Sequence, residues 1–202
     1  MQAREQTATN LAESDEAVLK CGRAAPLAID LPARRRYECE LVDEAEQKKR
    51  ALELWNAGYQ RHLQNDLEGA IDLYNRSIQT WPTAEAYTFR GWAYEGMGRI
   101  DDAIAECRKA IEIDPDYGNP YNDIGAYLMA KGELDDAIPW LERAKRAPRY
   151  EPRHFPYMNL GRLYAAKGMF TAAAAEFARA VEIEPNDRTS QQMLARLRAM
   201  LN

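Results

Sequence analysis

A pattern of small residues recurs about every 34 residues along the chain, and it constrains the fold more than any other feature of the sequence. Four alanines lie 33, 34 and 36 residues apart, namely Ala70, Ala103, Ala137 and Ala173. A glycine precedes each alanine by twelve residues, at Gly58, Gly91, Gly125 and Gly161. A small residue follows each by seven, at Ser77, Ala110, Ala144 and Ala180. Four copies in one register indicate a repeat array rather than a single globular core.

Each unit of the pattern predicts two amphipathic helices joined by a short turn, for example over residues 84–97 and 100–113. The turn carries Asn65 in the first unit and a glycine in the other three, and both residue types accept the left-handed backbone that ends a helix. Prolines at 82, 115 and 185 stop the second helix of three units. A glycine inside a helix costs about 1 kcal/mol relative to alanine, so the four helix glycines predict close approach of two helices.

Two of the units resemble the tetratricopeptide-repeat consensus closely. The matching residues are Tyr87, Gly91, Tyr94, Gly98, Ala103, Ala110 and Pro115 in the second unit, and Tyr157, Gly161, Tyr164, Gly168, Ala173, Phe177, Ala180 and Pro185 in the fourth. The resemblance covers residues 51–185 and departs from the family at Arg61 and Leu128, where an aromatic residue is usual, and at Pro148, after which extra residues follow. It implies an all-α, right-handed α-solenoid of four helix-turn-helix hairpins.

The residues outside the repeats form two further segments. After the last repeat, an apolar stripe at helical spacing predicts a C-terminal capping helix over residues 187–202, with Met193, Leu194, Leu197, Met200 and Leu201. We therefore expect an N-terminal extension, partly helical or disordered, at residues 1–47, and four repeats at 48–186. One hypothesis is that Leu27, Ile29 and Leu31 lie in the groove of this chain or a neighbour, so that deleting residues 1–36 raises partner affinity. The alternative is a loose tail.

The resemblance implies that the first helix of every unit lines a concave groove. Positions three and two before each repeat glycine, and one and four after it, share one helix face. With the residues one turn earlier, the predicted partner-binding set is Trp55, Asn56, Tyr59, His62, Thr88, Phe89, Trp92, Asn119, Asn122, Asp123, Met129, Phe155, Asn159 and Arg162. The predicted lining also includes Glu95, Ala126, Met158 and Ala165. Aromatic residues toward the N-terminal half and amides toward the other half suit an extended peptide or a helix.

Several of these residues have a second interpretation. Trp55, Tyr59 and Trp92 could complete the core, as aromatic residues at helical spacing often do. Asn56, Asn122 and Asn159 oppose helix propensity unless they find a partner, which favours a binding role. Trp81 and Trp140 fall off the concave face and are predicted to be structural.

The sequence also differs from those family members that grip the carboxylate terminus of heat-shock chaperones. Such a clamp uses lysines, asparagines and an arginine on the concave surface. Where it would need lysines, this chain has Trp55, Thr88, Asn119 or Phe155, and only Arg162 remains to bind a free carboxylate. We therefore do not expect a co-chaperone role of that type.

Composition argues against several classes of function. The chain has 27 Lys and Arg against 32 Asp and Glu, a formal net charge of −5, which opposes nucleic-acid binding. It has no run of eighteen apolar residues and no apolar leader, so we expect a cytoplasmic protein without membrane insertion. Cys21, Cys39 and Cys107 form no Cys-x-x-Cys pair, so neither a disulfide framework nor a metal site is indicated.

Catalytic motifs are lacking as well. Only His62 and His154 are available, and the chain has no nucleophile elbow, phosphate loop or zinc-protease motif. We expect no enzyme activity, no catalytic residues and no cofactor. Residues 143–154 form a basic stretch, interpreted either as a contact for an acidic partner or as a solvated connector stiffened by prolines.

The expected function is therefore that of an adaptor or scaffold that binds a segment of a protein or peptide partner in the groove. Two alternatives stay open at this stage. One is a chaperone for a secretion or assembly subunit, and the other is a self-assembling structural module, that is, a homo-oligomer. The sequence does not name the partner.

Overall fold

The computed structural model describes residues 33–201, with side chains from residue 43 onward, and all regular secondary structure in this range is helical. The hypothesis that Leu27, Ile29 and Leu31 occupy the groove lies outside the described residues. The helices are α1 Ala33–Leu63, α2 Leu67–Thr80, α3 Ala84–Gly96, α4 Ile100–Ile113, α5 Asn119–Ala130, α6 Leu134–Arg146, α7 Phe155–Ala166, α8 Phe170–Ile183 and α9 Arg188–Leu201.

The helices pair into four hairpins followed by one further helix. Each of the first eight helices packs most extensively on its hairpin partner and next on the adjoining hairpin, in chain order. The turns within the hairpins contain the only described residues with left-handed backbone, Asn65, Gly98, Gly132 and Gly168, with φ of 60°, 76°, 82° and 74°. The second helices of the three proline-terminated units end two residues before Pro82, Pro115 and Pro185. The predicted α-solenoid of four hairpins is confirmed.

Close approach of the two helices explains the repeated helix glycines. A Cβ atom placed on Gly58 would lie 2.7 Å from the Tyr74 ring, and one on Gly125 would lie 2.6 Å from Leu141. A Cβ on Gly161 would lie 2.8 Å from Phe177. These three glycines make room for a large, fully buried side chain from the second helix of the same hairpin. The prediction made from helix propensity is therefore confirmed.

The core runs through the stack instead of forming separate centres in each hairpin. Its largest cluster joins Cys107 of α4 to Ile124 of α5, Leu141 of α6 and Leu160 of α7. A second cluster joins Phe177 of α8 to the terminal helix. Because neighbouring hairpins share these clusters, each hairpin depends on the next one for burial of its apolar face.

The terminal helix α9 covers the end of the stack. Leu194 and Leu197 are buried against α8, and Met193 is half-buried beside them. Met200 and Leu201, also in the predicted stripe, are exposed in the last turn. The predicted capping helix is thus present, with three of its five stripe residues in contact with the core.

At the other end, α1 is longer than any other described helix and runs without a break through residue 47. The boundary between extension and repeats that we placed there is not marked by an end of secondary structure, and it stays a prediction. No helix among residues 33–201 has the length and apolar character needed to cross a lipid bilayer.

The connector between the third and fourth hairpins is bound to the preceding inter-hairpin loop. The Gly118 amide donates to the Arg149 carbonyl at 2.8 Å, and the Arg149 amide donates to the Asp116 carbonyl at 3.0 Å. The Arg149 guanidinium bonds to Asp114 and Glu85 and covers the Tyr117 ring. Most of the basic charge in this stretch is therefore directed at acidic residues of the same chain, which favours the structural interpretation of residues 143–154.

Candidate functional site: the groove of the first helices

The first helices of the hairpins lie on the inner side of the stack. Helix α1 contacts α3 and α5 contacts α7 directly, whereas no two second helices of residues 33–201 make contacts as extensive. A stack whose first helices lie closer together than its second helices is concave on the first-helix side. Helices α1, α3, α5 and α7 therefore line a common groove.

Four aromatic side chains from α1 and α3 meet in the N-terminal half of this groove, and we call them the aromatic floor: Trp55, Tyr59, Phe89 and Trp92. The Trp55 and Tyr59 rings are parallel, with centroids 6.0 Å apart. Phe89 meets both edge-on, at 4.9 and 5.4 Å, and lies 4.3 Å from Trp92. These offset and edge-on arrangements are the favourable ones for aromatic pairs.

All four rings of the aromatic floor are half-buried. Trp55 and Phe89 pack on the core formed by Ala70, Tyr74 and Ala93, which agrees with the interpretation that they complete the core. Each ring also keeps part of its surface open, which agrees with the binding interpretation. The Trp55 Nε1 atom is buried without an acceptor among the described residues, so one donor of the floor is unsatisfied.

A chain of side-chain hydrogen bonds links the next three first helices, and we call it the polar ladder: Trp92, Asp123, Asn122 and Asn159. Trp92 Nε1 donates to Asp123 Oδ2 at 2.6 Å, and the Asn122 amide donates to Asp123 Oδ1 at 3.4 Å. The Asn159 amide donates to Asn122 Oδ1 at 2.9 Å. Every donor in the ladder is directed toward Asp123, so its carboxyl group is the acceptor at the end of the chain.

The polar ladder changes the role expected for two of the asparagines. Asn122 and Asn159 are buried and find their partner in each other, across α5 and α7. Their side-chain amides need hydrogen-bond partners, which was the reason to expect a ligand, and here those partners lie within the protein. Asn56 in α1 is exposed and has no such neighbour among residues 33–201, where its own hairpin is the first of the stack.

Burial determines the charge of two groups in the groove. It raises the pKa of Asp123 to about 7, against the opposing effect of the hydrogen bonds from Trp92 and Asn122, and the negative charge of Glu95 raises it further. Burial also lowers the pKa of His62, only partly offset by Glu95. Near neutral pH the His62 ring is therefore uncharged, while the Asp123 carboxyl group is partly protonated and partly ionised.

Thr88 is a correction to the predicted binding set. It is fully buried, and its hydroxyl donates to the Ala84 carbonyl of the same helix at 2.8 Å. The positions three before the repeat glycine face the neighbouring hairpins, so Thr88, Asn122 and Met158 are all buried. Only Trp55, in the first hairpin, escapes full burial at this position.

The other predicted residues keep open surface. Asn119 and Met129 of α5 are half-buried, and Phe155 and Arg162 of α7 are exposed. Glu95 belongs to the predicted lining but not to the predicted binding set. It is exposed on α3, near enough to His62 and Asp123 to influence both. Glu95 lies four residues after Gly91, as His62 lies four residues after Gly58, and this shared position is the sequence signal that could have placed Glu95 in the binding set.

Chemistry other than binding has little support among residues 33–201. No three His, Cys, Asp or Glu side chains of this range are grouped so that they could hold a metal ion. Cys107 is buried, and this burial raises the pKa of its thiol well above the ordinary value. A protonated, inaccessible thiol is a poor nucleophile.

The tetratricopeptide-repeat family model matches two segments of the chain, residues 84–117 and 156–187. These segments contain the second hairpin and the fourth, whose turns and buried glycines are described above. The chain contains tetratricopeptide repeats.

Relatives of this tetratricopeptide-repeat protein include the small glutamine-rich tetratricopeptide repeat-containing protein 2 of Saccharomyces cerevisiae. It is 33% identical over 97 residues, which are 48% of this chain and 28% of the yeast protein. The chain spans less than a third of the length of the curated relatives that it matches.

Solved structures show the same fold. The pilF protein of Pseudomonas aeruginosa has a TM-score of 0.71 at 18% identity, over 75% of this chain and 69% of its own. YrrB, described as a TPR protein with an unusual peptide-binding site, has a TM-score of 0.57 at 17% identity, over 91% of this chain and 88% of its own.

Proposed function

We propose that this tetratricopeptide-repeat protein is an adaptor that holds an extended or helical segment of a protein partner in the groove. The observation that carries the proposal is the aromatic floor, four half-buried rings on the inner side of the stack. The presence of tetratricopeptide repeats supports the adaptor role in general. The peptide-binding site described for YrrB, which shares the fold, agrees with it.

The floor suits peptide binding for energetic reasons. Tyr and Trp side chains have a large contact area and few rotatable bonds, so they lose little conformational entropy when a peptide packs on them. The rings already touch one another, which restricts their rotation before a ligand arrives.

The rest of the groove offers exposed polar contacts. Asn56 presents an amide that can both donate to and accept from a peptide backbone. Phe155 and Arg162 lie at the other end, on α7, and provide one apolar and one cationic contact. Catalysis plays no part in this proposal, which rests on contacts between side chains of the groove and a peptide.

The test is a pull-down that compares the intact chain with a groove variant. Tyr59→Ala, Phe155→Ala and Arg162→Ala together remove open groove surface and leave the polar ladder in place. The matched control changes three exposed residues of the second helices, Gln79→Ala, Glu112→Ala and Arg146→Ala. We expect partners to be lost only from the groove variant, with both variants equally helical by circular dichroism. Equal loss from both, or from the control alone, would refute groove binding.

The same preparations separate the two alternatives. A chaperone for an assembly subunit would suppress aggregation of a co-expressed client. A self-assembling module would show a mass in light scattering that rises with concentration and is abolished when Met193 and Leu197 are changed to charged residues. An adaptor shows neither behaviour.

A further inference from the structure

We propose that the groove selects a peptide segment that carries a lysine or arginine side chain, seated on the aromatic floor beside Glu95 and Asp123. The inference rests on the proposed function and specifies the chemistry of the partner. It follows from three independent features of the groove: its uncompensated carboxyl groups, its aromatic rings without a described cation over them and the geometry around Trp92.

The first feature is the charge of the lining. Glu95 is exposed on α3, and Asp123 is half-buried on α5. The two residues are close enough that the charge of Glu95 raises the pKa of Asp123. None of the ion pairs among described side chains involves either residue. His62, which also faces Glu95, is neutral at pH 7 because burial lowers its pKa.

Two arginines of the same helices are directed elsewhere. Arg90 of α3 donates to Glu106 at 2.8 Å and to Asn75 at 2.5 Å, on the side of the second helices. Arg61 of α1 pairs with Asp66 at 3.0 Å, in the hairpin turn. The first cation of the predicted lining is Arg162 of the fourth hairpin, so the part of the groove around the aromatic floor is negative.

The second feature is the use of aromatic faces elsewhere in the protein. Seven other rings have an arginine or lysine of the same chain over them, for example Arg99 over Tyr94 at 4.4 Å and Lys145 over Tyr157 at 4.6 Å. Of the described cations, none lies over a ring of the aromatic floor. The ring surface that the stacked and edge-on contacts leave open is therefore not covered by a described cation and can receive one from outside, and such a contact is worth about 0.5–1 kcal/mol at an exposed site.

The third feature is the position of the Asp123 carboxyl group at the edge of the floor. Its Oδ2 accepts from Trp92 Nε1 at 2.6 Å, which ties the carboxyl group to the ring. Its Oδ1 accepts only the long bond of 3.4 Å from Asn122, so it has capacity for a further donor. A cation over the Trp92 ring meets the carboxyl group at the ring's edge, and the two attractions act on the same group.

The partner is a side chain of a peptide and not a small free amine. The groove extends across four hairpins, and contacts with Asn56 at one end and Phe155 at the other require a ligand of many residues. A single bound cation would leave those surfaces unused. Charge complementarity thus points to a basic segment with neighbouring apolar residues.

The test uses capped peptides of one sequence, with a phenylalanine near a central variable position, binding to the full chain in calorimetric titrations. The variable residue is lysine, norleucine, which has a similar length without charge, or glutamate. We expect the lysine peptide to bind roughly tenfold more tightly than the norleucine peptide, and the glutamate peptide to bind most weakly. Higher salt should reduce the advantage of lysine.

Variants of the protein locate the effect. Glu95→Gln should remove most of the advantage of lysine over norleucine, whereas Glu112→Gln, an exposed glutamate of α4, should preserve it. Equal binding of the lysine and norleucine peptides would overturn this inference and leave groove binding intact. Free lysine amide that binds as tightly as the peptide would overturn the choice of a peptide side chain. Failure of all three peptides to bind would contradict both this inference and the proposed function.

Discussion

At the scale of single residues, Asp123 connects the structure of the groove to its chemistry. It accepts two of the three hydrogen bonds of the polar ladder, from Trp92 and Asn122, and Trp92 belongs to the aromatic floor. Its environment nevertheless disfavours its charge. When the Asp123 carboxyl group is ionised, it lowers the stability of the ligand-free protein. A cationic ligand supplies the counter-charge that the carboxylate lacks. A perturbed carboxyl group in a groove is typical of a functional site.

Stability should therefore depend on pH through Asp123. Its pKa is about 7 in the folded protein and 3.8 ordinarily, so between these values the folded state holds a proton that the unfolded state has released. The stability that the protonated Asp123 gives to the folded protein is fully present below pH 4, decreases as the pH rises, and is gone above pH 7. Asp123→Asn should raise the free energy of unfolding by about 2–3 kcal/mol more at pH 8 than at pH 5.

Urea unfolding at the two pH values measures this difference. The control is Asp136→Asn, a change at an exposed aspartate of α6, which should shift stability equally at both. Parallel pH profiles for the wild-type chain and Asp123→Asn would show that the carboxyl group is not perturbed in the folded protein.

At the scale of helices, hairpin packing depends on what faces each repeat glycine. The glycines at 58, 125 and 161 oppose a large side chain, whereas a Cβ on Gly91 would meet the Ala103 carbonyl at 3.2 Å and the Glu106 Cβ at 3.5 Å. One sequence position thus has two structural contexts. The smaller Cys107 of the second hairpin, in place of Tyr74, Leu141 or Phe177, accounts for the difference.

This difference predicts unequal effects of one substitution. Gly125→Ala should lower the free energy of unfolding by about 1–3 kcal/mol, because the new methyl group forces Leu141 out of its place. Gly91→Ala should cost less, since the gain in helix propensity of about 1 kcal/mol offsets a milder contact. Thermal or urea unfolding of the two variants gives the comparison. Equal losses would mean that the hairpins do not pack as described.

The hairpins themselves were predictable because their signals are local. Turn residues such as Gly98, helix-stopping prolines and the spacing of the repeat glycines all act within one unit. The burial of Thr88 and the bond between Asn122 and Asn159 depend on how adjacent hairpins meet, and no local pattern contains that geometry. The sequence therefore predicts the groove residues as a set, while the division between open and buried members needed the structure.

At the scale of the whole molecule, the stack has different surfaces on its two sides. The inner side carries half-buried aromatic rings, uncompensated carboxyl groups and Arg162. On the second helices several lysine and arginine side chains pair with nearby acids, as Lys145 does with Glu142 and Glu176. The α9 helix covers the last hairpin with Leu194 and Leu197. This arrangement leaves the groove as the surface best suited to a partner.

Hydrogen–deuterium exchange of the full chain, alone and bound to a partner recovered on it, tests this account most directly. We predict that binding slows exchange in α1, α3, α5 and α7 and leaves α2, α4, α6 and α8 unchanged. Protection confined to the second helices, or to α9 and the connector at residues 147–154, would contradict the assignment of the groove as the binding surface.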